Sequence, residues 1–200
     1  LFQELALGKD APKLIVAGGV GSHDQVRHWL GHGADGVQVG TAFAVTIEGD
    51  AHENFKRVLI DADPDQLKEF TSVAGLPARA VATPWLTRYL RQEKTLQENT
   101  RCDARRCSQR MDCLTQCGLR DGLSRFGQFC IDLKLAAAMR GEVSRGLFFR
   151  GASKLPFGNA MRSVRELMDY LLHGKMPADE KDAVMQAFAR GDIDVLVNAQ

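Results

Sequence analysis

Two short apolar runs that each end in a glycine turn limit the folds open to this chain more than any other feature. Residues 13–17 (KLIVA) run into the Gly-Gly pair at 18–19, and residues 36–39 (GVQV) run into the Gly-Thr pair at 40–41. Short apolar runs that enter tight turns are typical of buried parallel strands. The sequence therefore predicts two buried strands, each followed by a tight turn.

A helix is predicted between these two strands. Ser22 and Gln25 have the spacing of a capping box, and Gly31 and Gly33 would end the helix. Strand, helix and strand together occupy about 30 residues, the length of a βαβ crossover. We therefore expect an α/β fold with a parallel sheet.

The rest of the chain is predicted to be mainly helical. Helices are expected around Phe55, from Asp63-Pro64, from Pro84, over 131–140, from Ser163 and over 179–190. The stretch 71–83 is expected to be β-rich or irregular, and residues 96–130 are expected to form an irregular insertion rich in cysteine and arginine.

Composition excludes several classes of protein. The chain has 200 residues, 44% of them hydrophobic and 26% charged, and its formal net charge is +1. It therefore lacks the strong positive charge of a typical nucleic-acid-binding protein. No apolar run approaches the roughly 18 residues that span a bilayer, and the first residues lack the order of a signal peptide. We expect a cytoplasmic protein that binds neither nucleic acid nor a membrane.

The paired glycine turns suggest a site for an anion. Glycine lacks Cβ, so the backbone N–H groups of such turns can approach a phosphate, and the positive N-terminus of a following helix adds to the attraction. Thr41 would add a hydroxyl donor. A Rossmann dinucleotide site is a weaker alternative, because the third glycine of its G-x-G-x-x-G pattern is missing after Gly21. The glycines could also serve only as tight turns.

The strand ends resemble those of the nitronate monooxygenase family. The similarity is strongest in 15–20 (IVAGGV) and 33–43 (GADGVQVGTAF), continues through 71–83, and extends more loosely over 113–132, 146–149 and 163–168. The resemblance implies the C-terminal part of an FMN-binding TIM (β/α)8 barrel, followed by a mainly helical region. It also implies that the FMN phosphate is bound by Gly18, Gly19, Gln38, Val39, Gly40 and Thr41.

The function implied by the resemblance is an FMN-dependent oxidoreductase that oxidises alkyl nitronates with O2. Because flavin-dependent enoyl-ACP reductases of fatty-acid or polyketide synthesis share the bare glycine pattern, they are the first alternative. The substrate would then be a nitronate or an acyl thioester. A homo-oligomer is compatible with either function.

The family's catalytic base is a histidine in a glycine-rich context that these residues do not contain, so no catalytic residue is assigned. The five histidines, at 23, 28, 32, 52 and 173, are each expected to be solvated or to cap a helix. The chain begins at Leu1, and we expect the base to lie upstream of it, in a longer enzyme. The predicted segments are then 1–95 for the last βα units, 96–130 for the insertion and 131–200 for the helical region.

All five cysteines fall between Cys102 and Cys130. Because clustered thiolates are ligands for Zn²⁺ and for iron–sulfur clusters, a metal site is predicted. Its ligands would be Cys107, Cys113, Cys117 and Cys130. Alternatively, the thiols pack as small hydrophobes. A non-catalytic, cysteine-rich metal-binding module that binds a partner is accordingly the second functional alternative, and the nearby arginines would be either a solvated face or a contact for an acidic ligand.

Overall fold

The computed structural model describes residues 13–102, 105–108 and 113–173, together with Gln186 and Arg190. These residues divide into two compact units, one within 1–49 and 153–200 and the other within 50–152. The predicted division into 1–95, 96–130 and 131–200 stays a prediction. The elements in chain order are β1 (Ile15–Ala17), α1 (His23–Gly31), β2 (Gly36–Gln38), α2 (Thr41–Ala44), α3 (Glu53–Ile60), a 3-10 turn (Pro64–Gln66), β3 (Leu67–Thr71), β4 (Pro77–Val81), α4 (Pro84–Glu98), α5 (Gly118–Asp121), α6 (Ile131–Met139) and α7 (Val164–His173).

The first unit contains the predicted βαβ crossover. Strands β1 and β2 pair in parallel, with Ile15 opposite Gly36, and α1 connects them. Helix α7 joins this unit, and its Leu167 is buried in the same apolar cluster as Val26 and Phe43. One expectation is corrected: neither strand is fully buried, since Ile15 of β1 is 45% exposed and the residues of β2 are half-buried. Among the described residues, β1 pairs with β2 alone.

The second unit is built around an antiparallel hairpin. Strands β3 and β4 pair from Leu67 opposite Val81 to Thr71 opposite Pro77. Strand β4 lies within the stretch 71–83 expected to be β-rich or irregular, whereas β3 precedes that stretch, in the region where a helix is expected. The helix expected from Asp63 is limited to the short 3-10 turn, because the chain is already extended at Leu67. The core residues of this unit are Phe70, Val73, Ala80, Leu86, Tyr89, Cys117, Leu119, Phe129 and Leu147.

Two further expectations are met only in part. The segment expected to be an irregular insertion does contain loops, but its Leu119 and Phe129 are buried in the core of the second unit. The C-terminal region is helical in α6 and α7, whereas residues 141–163 have no helix. The helix predicted over 179–190 lies outside the described residues, apart from Gln186 and Arg190. No helix in the described part of the chain is long and apolar enough to cross a membrane.

Candidate functional site

The parallel register brings the two glycine turns to the same edge of the β1–β2 pair. Ala17 and Gln38 are the last paired residues of their strands. The chain therefore leaves both strands at the same end, through Gly18 on one side and Val39 on the other. In parallel α/β folds this carboxyl edge is where ligands bind. The predicted site residues thus lie on neighbouring strand ends.

The first turn requires glycine for its backbone conformation. Gly18 and Gly19 have φ of +83° and +73°, in the left-handed region that side chains disfavour. Both residues are exposed. A Cβ built on Gly18 would meet nothing within 4 Å, so the space beside this turn is open.

The second turn leads directly into a short helix. Gly40 is the N-cap of α2, and its carbonyl accepts hydrogen bonds from the N–H groups of Phe43 and Ala44 at 3.0 and 3.1 Å. Val39 is only 2% exposed and its side chain belongs to the core, so only its backbone could face a ligand. Gln38 and Thr41 are half-buried on either side of it.

The N-terminus of α1 contributes less to this edge than its sequence suggests. The predicted capping pair is present, since the Ser22 hydroxyl accepts a hydrogen bond from the Gln25 N–H at 3.3 Å. The Gln25 side chain in turn accepts one from the Gly21 N–H at 2.9 Å. Because these N–H groups already have partners, an anion at this edge would depend mainly on the two glycine turns.

Ser153 is a residue of the site that sequence reasoning missed. Its hydroxyl donates a hydrogen bond to the Gly19 carbonyl at 2.6 Å, which holds that carbonyl in place. A Cβ on Gly21 would lie 3.5 Å from the Ser153 Cβ, so the two segments are in close contact. No local pattern marks Ser153, because 134 positions separate it from Gly19.

Three of the five histidines have a ring nitrogen within hydrogen-bond distance of a backbone group. His52 is the N-cap of α3, where its Nδ1 accepts a hydrogen bond from the Asn54 N–H at 3.0 Å. The Nδ1 atoms of His23 and His32 lie 3.0 and 2.7 Å from backbone carbonyl oxygens. His173 differs from the expectation of a solvated side chain, because it is only 2% exposed.

The structure does not support the zinc or iron–sulfur site predicted at Cys107, Cys113, Cys117 and Cys130. All four are among the described residues, and these contain no group of three or more His, Cys, Asp or Glu side chains placed to hold a metal ion. Cys117 is 4% exposed and packs in the apolar core, while its N–H donates to Asp121 at 2.8 Å. Cys130 caps α6, and its Sγ lies 3.6 Å from the Ser108 hydroxyl. Closeness in sequence is therefore not closeness in space.

The crossover and its glycine edge define the chain as a mixed α/β protein with a candidate anion site at the carboxyl ends of two parallel strands. The family model for nitronate monooxygenase matches residues 9–173, so the chain belongs to that family. A probable nitronate monooxygenase of Bacillus subtilis (strain 168) is 31% identical over 105 residues, covering 43% of this chain and 30% of the relative. A putative nitronate monooxygenase of Saccharomyces cerevisiae (strain ATCC 204508 / S288c) is 32% identical over 79 residues, covering 40% and 19%. The match thus spans less than a third of either relative.

Two solved structures share the fold. FabK from Thermotoga maritima has a TM-score of 0.55 and 20% identity, over 90% of this chain and 47% of that structure. Nitroalkane oxidase from Streptomyces ansochromogenes has a TM-score of 0.50 and 22% identity, over 96% and 45%. These neighbours are of the TIM-barrel type, which agrees with the α/β class. Because the chain corresponds to less than half of each, the closed barrel stays a prediction.

Proposed function

We propose that this chain holds the FMN phosphate of a flavin-dependent oxidoreductase that oxidises alkyl nitronates with O2. The observation that carries the proposal is the parallel register, which places the glycine turn at 18–19 beside the one at 40–41. Membership of the nitronate monooxygenase family supports the chemistry. The substrate in this proposal is a small molecule.

The residues at this edge fit a phosphate. Gly18 and Gly19 are exposed, and open space lies beside Gly18. Their N–H groups would donate to the phosphate oxygens, together with the N–H of Gly40 and the Thr41 hydroxyl, while Gln38 would border the site. Hydrogen bonds to a charged acceptor are about twice as strong as neutral ones. Bound FMN would supply the electron transfer, and this part of the chain would anchor and orient it.

The anchoring role can be tested by FMN binding to the full-length protein. Riboflavin lacks the phosphate, so we expect FMN to bind at least about tenfold more tightly, as charge-assisted hydrogen bonds predict. Gly18→Ala should weaken FMN binding by about tenfold, because the turn and its N–H groups would shift. Flavin fluorescence quenching measures both affinities.

Gly33→Ala is a matched control for that variant. Gly33 also has a positive φ, +92°, and open space around it, but it precedes β2 and so lies away from the carboxyl edge. Both variants should lose about 1–2 kcal/mol of stability from left-handed strain, whereas Gly33→Ala should keep wild-type FMN affinity. Equal FMN and riboflavin affinities, or equal losses in the two variants, would contradict the anchoring role.

A second experiment separates the two enzyme functions. In anaerobic solution a nitronate should bleach the flavin of the full-length protein if it is a nitronate monooxygenase. Rapid bleaching by NAD(P)H, with none by nitronate, would instead favour an enoyl-ACP reductase. The third alternative, a metal-binding module, is not supported, because the four cysteines do not form a group that could hold a metal ion among the described residues.

A further inference from the structure

A cleft of about 540 Å³ lies on the second unit, bordered by α4 and α6. This volume is within the usual range of small-molecule sites, about 300–1,000 Å³. Its lining residues are aromatic, aliphatic or polar, and four of them are cations. They are Trp85, Arg88, Tyr89, Gln92, Leu96, Arg106, Phe129, Cys130, Leu133, Lys134 and Arg145. The described residues that line the cleft include no carboxylate.

One wall of the cleft is a set of packed aromatic rings. The Trp85 and Tyr89 rings are stacked, with centroids 5.4 Å apart and an angle of 13° between their planes. Phe129 meets both rings edge-on, at 5.1 and 5.0 Å. The Tyr89 hydroxyl accepts a hydrogen bond from the Gln128 N–H at 3.1 Å, which fixes the ring. Tyr89 and Phe129 are buried, so they hold the half-buried Trp85 ring in place, and Trp85 is the ring of this wall that a flat ligand could contact.

Three of the four cations are held by backbone carbonyl oxygens. Arg88 donates to the Ser144 carbonyl and Lys134 to the Arg145 carbonyl, each at 3.2 Å, and Arg106 donates to that of Gln128 at 3.1 Å. A carbonyl partner positions Arg88 and Lys134 without neutralising their charges.

The fourth cation, Arg145, has a carboxylate neighbour. It lies 3.2 Å from Glu142, in a pair whose arginine side chain is 74% exposed. An ion pair that exposed contributes little and is screened by solvent. Arg145 therefore keeps much of its positive charge available to a ligand in the cleft.

The pKa of Lys134 is affected by burial and by the positive charges around it. Its pKa is lowered from the usual lysine value, first by burial and then by the charges of Arg145, Arg88 and Arg106. Its Nζ also lies 4.8 Å from the centroid of the Trp85 ring, a cation–π contact. Three arginines thus act on one ammonium group, and a bound anion would relieve their mutual repulsion.

We propose that this cleft binds a phosphate monoester whose organic part is an aromatic ring. The ring would lie against Trp85, and the phosphate would face Arg88, Lys134 and Arg145. A doubly charged phosphate suits several converging cations better than a single carboxylate, and arginine binds it in a bidentate manner. The cleft lies within the second unit, so this proposal goes beyond the FMN function and does not depend on it.

The experiment uses 1-naphthyl phosphate as the probe, with 1-naphthol and inorganic phosphate as its two halves. Calorimetric titration of the full chain should show the probe binding at least about tenfold more tightly than either half, since each half lacks one set of contacts. Alkylation of Cys130 locates the binding, because this half-buried thiol lines the cleft. Mass spectrometry should show that saturating probe slows its reaction with iodoacetamide severalfold.

Arg88→Gln and Lys134→Met remove one cation each and should weaken probe binding about tenfold, as for one lost charge-assisted hydrogen bond. Arg91→Gln is the matched control: Arg91 is an exposed residue of α4, one turn from Arg88, and does not line the cleft. It makes the same change in net charge and should leave affinity within about twofold. The thermal midpoint of each variant checks that it is folded, and Arg88 is exposed enough to replace safely.

Three results would overturn the proposal. These are probe binding no tighter than that of 1-naphthol or phosphate, no protection of Cys130, or an equal loss of affinity in Arg88→Gln and Arg91→Gln. The last result would mean that net charge alone, rather than the cleft, attracts the probe.

Discussion

Glycine serves different purposes in the two units. Gly18, at the strand edge of the first unit, has a positive φ and open space where a side chain would be. Gly127, in the second unit, has its space already filled: a Cβ there would lie 2.6 Å from the Thr71 carbonyl oxygen and 2.9 Å from the Ser72 carbonyl carbon. Open space beside an exposed turn leaves room for a ligand, whereas filled space marks a close contact between two backbone segments.

The two candidate anion sites differ in a related way. At the strand edge the donors would be mainly backbone N–H groups, which a change of side chain other than to proline leaves in place and a change of conformation displaces. In the cleft of the second unit the donors are side chains such as Arg88 and Lys134. Substitutions should therefore act on the first site through backbone geometry and on the second through charge.

The largest loss of stability is expected at Gly127, where neighbouring atoms already occupy the position of a Cβ. In Gly127→Ala the new methyl group would overlap backbone atoms at the end of β3, and the Gly127 N–H bond to the Ser72 carbonyl, 2.9 Å long, would be strained. Overpacking of this kind costs about 2–3 kcal/mol. Urea denaturation followed by circular dichroism measures the loss in free energy of unfolding.

Gly31→Ala is the control for that substitution. Gly31 is the last residue of α1, and a Cβ added to it would meet nothing within 4 Å. Alanine is favoured over glycine in a helix by up to about 1 kcal/mol, so this variant should be neutral or slightly stabilised. If Gly127→Ala were as stable as Gly31→Ala, the atoms close to the Cβ position of Gly127 would not limit which residue can stand there.

A smaller loss is expected from Tyr89→Phe. Gln128 is only 3% exposed, and its N–H would lose the tyrosine hydroxyl that accepts its hydrogen bond. An unsatisfied buried donor costs about 1–2 kcal/mol. The variant sharpens the comparison because Tyr89 both packs in the core of the second unit and belongs to the aromatic wall of the cleft. Urea denaturation measures this loss in the same way.

The same variant has a predicted pH signature. Burial raises the pKa of Tyr89 to about 12, against an ordinary value of 10.0, although the hydrogen bond from Gln128 acts in the opposite direction. The folded state thus favours the neutral phenol, and this contribution to stability is present below about pH 10 and lost between about pH 10 and pH 12. The wild-type unfolding free energy should therefore fall more steeply over that range than that of Tyr89→Phe. Parallel curves would show that the hydroxyl is not shielded in the folded protein.

The parts of the fold that follow from neighbouring residues could be predicted from the sequence. Ser22 and Gln25 lie in one helical turn, as do Ser163 and Glu166, and both capping pairs form the hydrogen bonds that their spacing predicts. The parallel strands were likewise indicated by apolar runs and turns. In each case the interacting atoms lie within a few residues, so a local pattern contains the information.

Contacts between distant residues could not be predicted in this way. The Tyr89 hydroxyl meets a backbone N–H that lies 39 positions later, and Arg150 donates to the Leu59 carbonyl across 91 positions. The cysteines are the reverse case, in which residues close in sequence do not form a common site. Their spacing predicts a shared metal ion, whereas Cys117 packs in the core. Which distant side chains meet is decided by packing of the whole unit, and one sequence does not contain that pattern in a readable form.

The smallest predicted effect concerns Ser153, whose hydroxyl bonds to the Gly19 carbonyl at 2.6 Å. In Ser153→Ala the carbonyl would lose this donor, and because Gly19 is exposed, water can replace it. We therefore expect little loss of stability, and a loss of FMN affinity of about three- to tenfold, equivalent to about 1 kcal/mol. Ser124→Ala, at an exposed position of the second unit, is the control and should bind FMN as the wild type does. The prediction would be wrong if Ser153→Ala lowered stability as much as Tyr89→Phe does and left FMN affinity unchanged. The Ser153 hydroxyl would then stabilise the fold rather than the strand edge. In both units, side chains distant in sequence would then serve only to stabilise the fold.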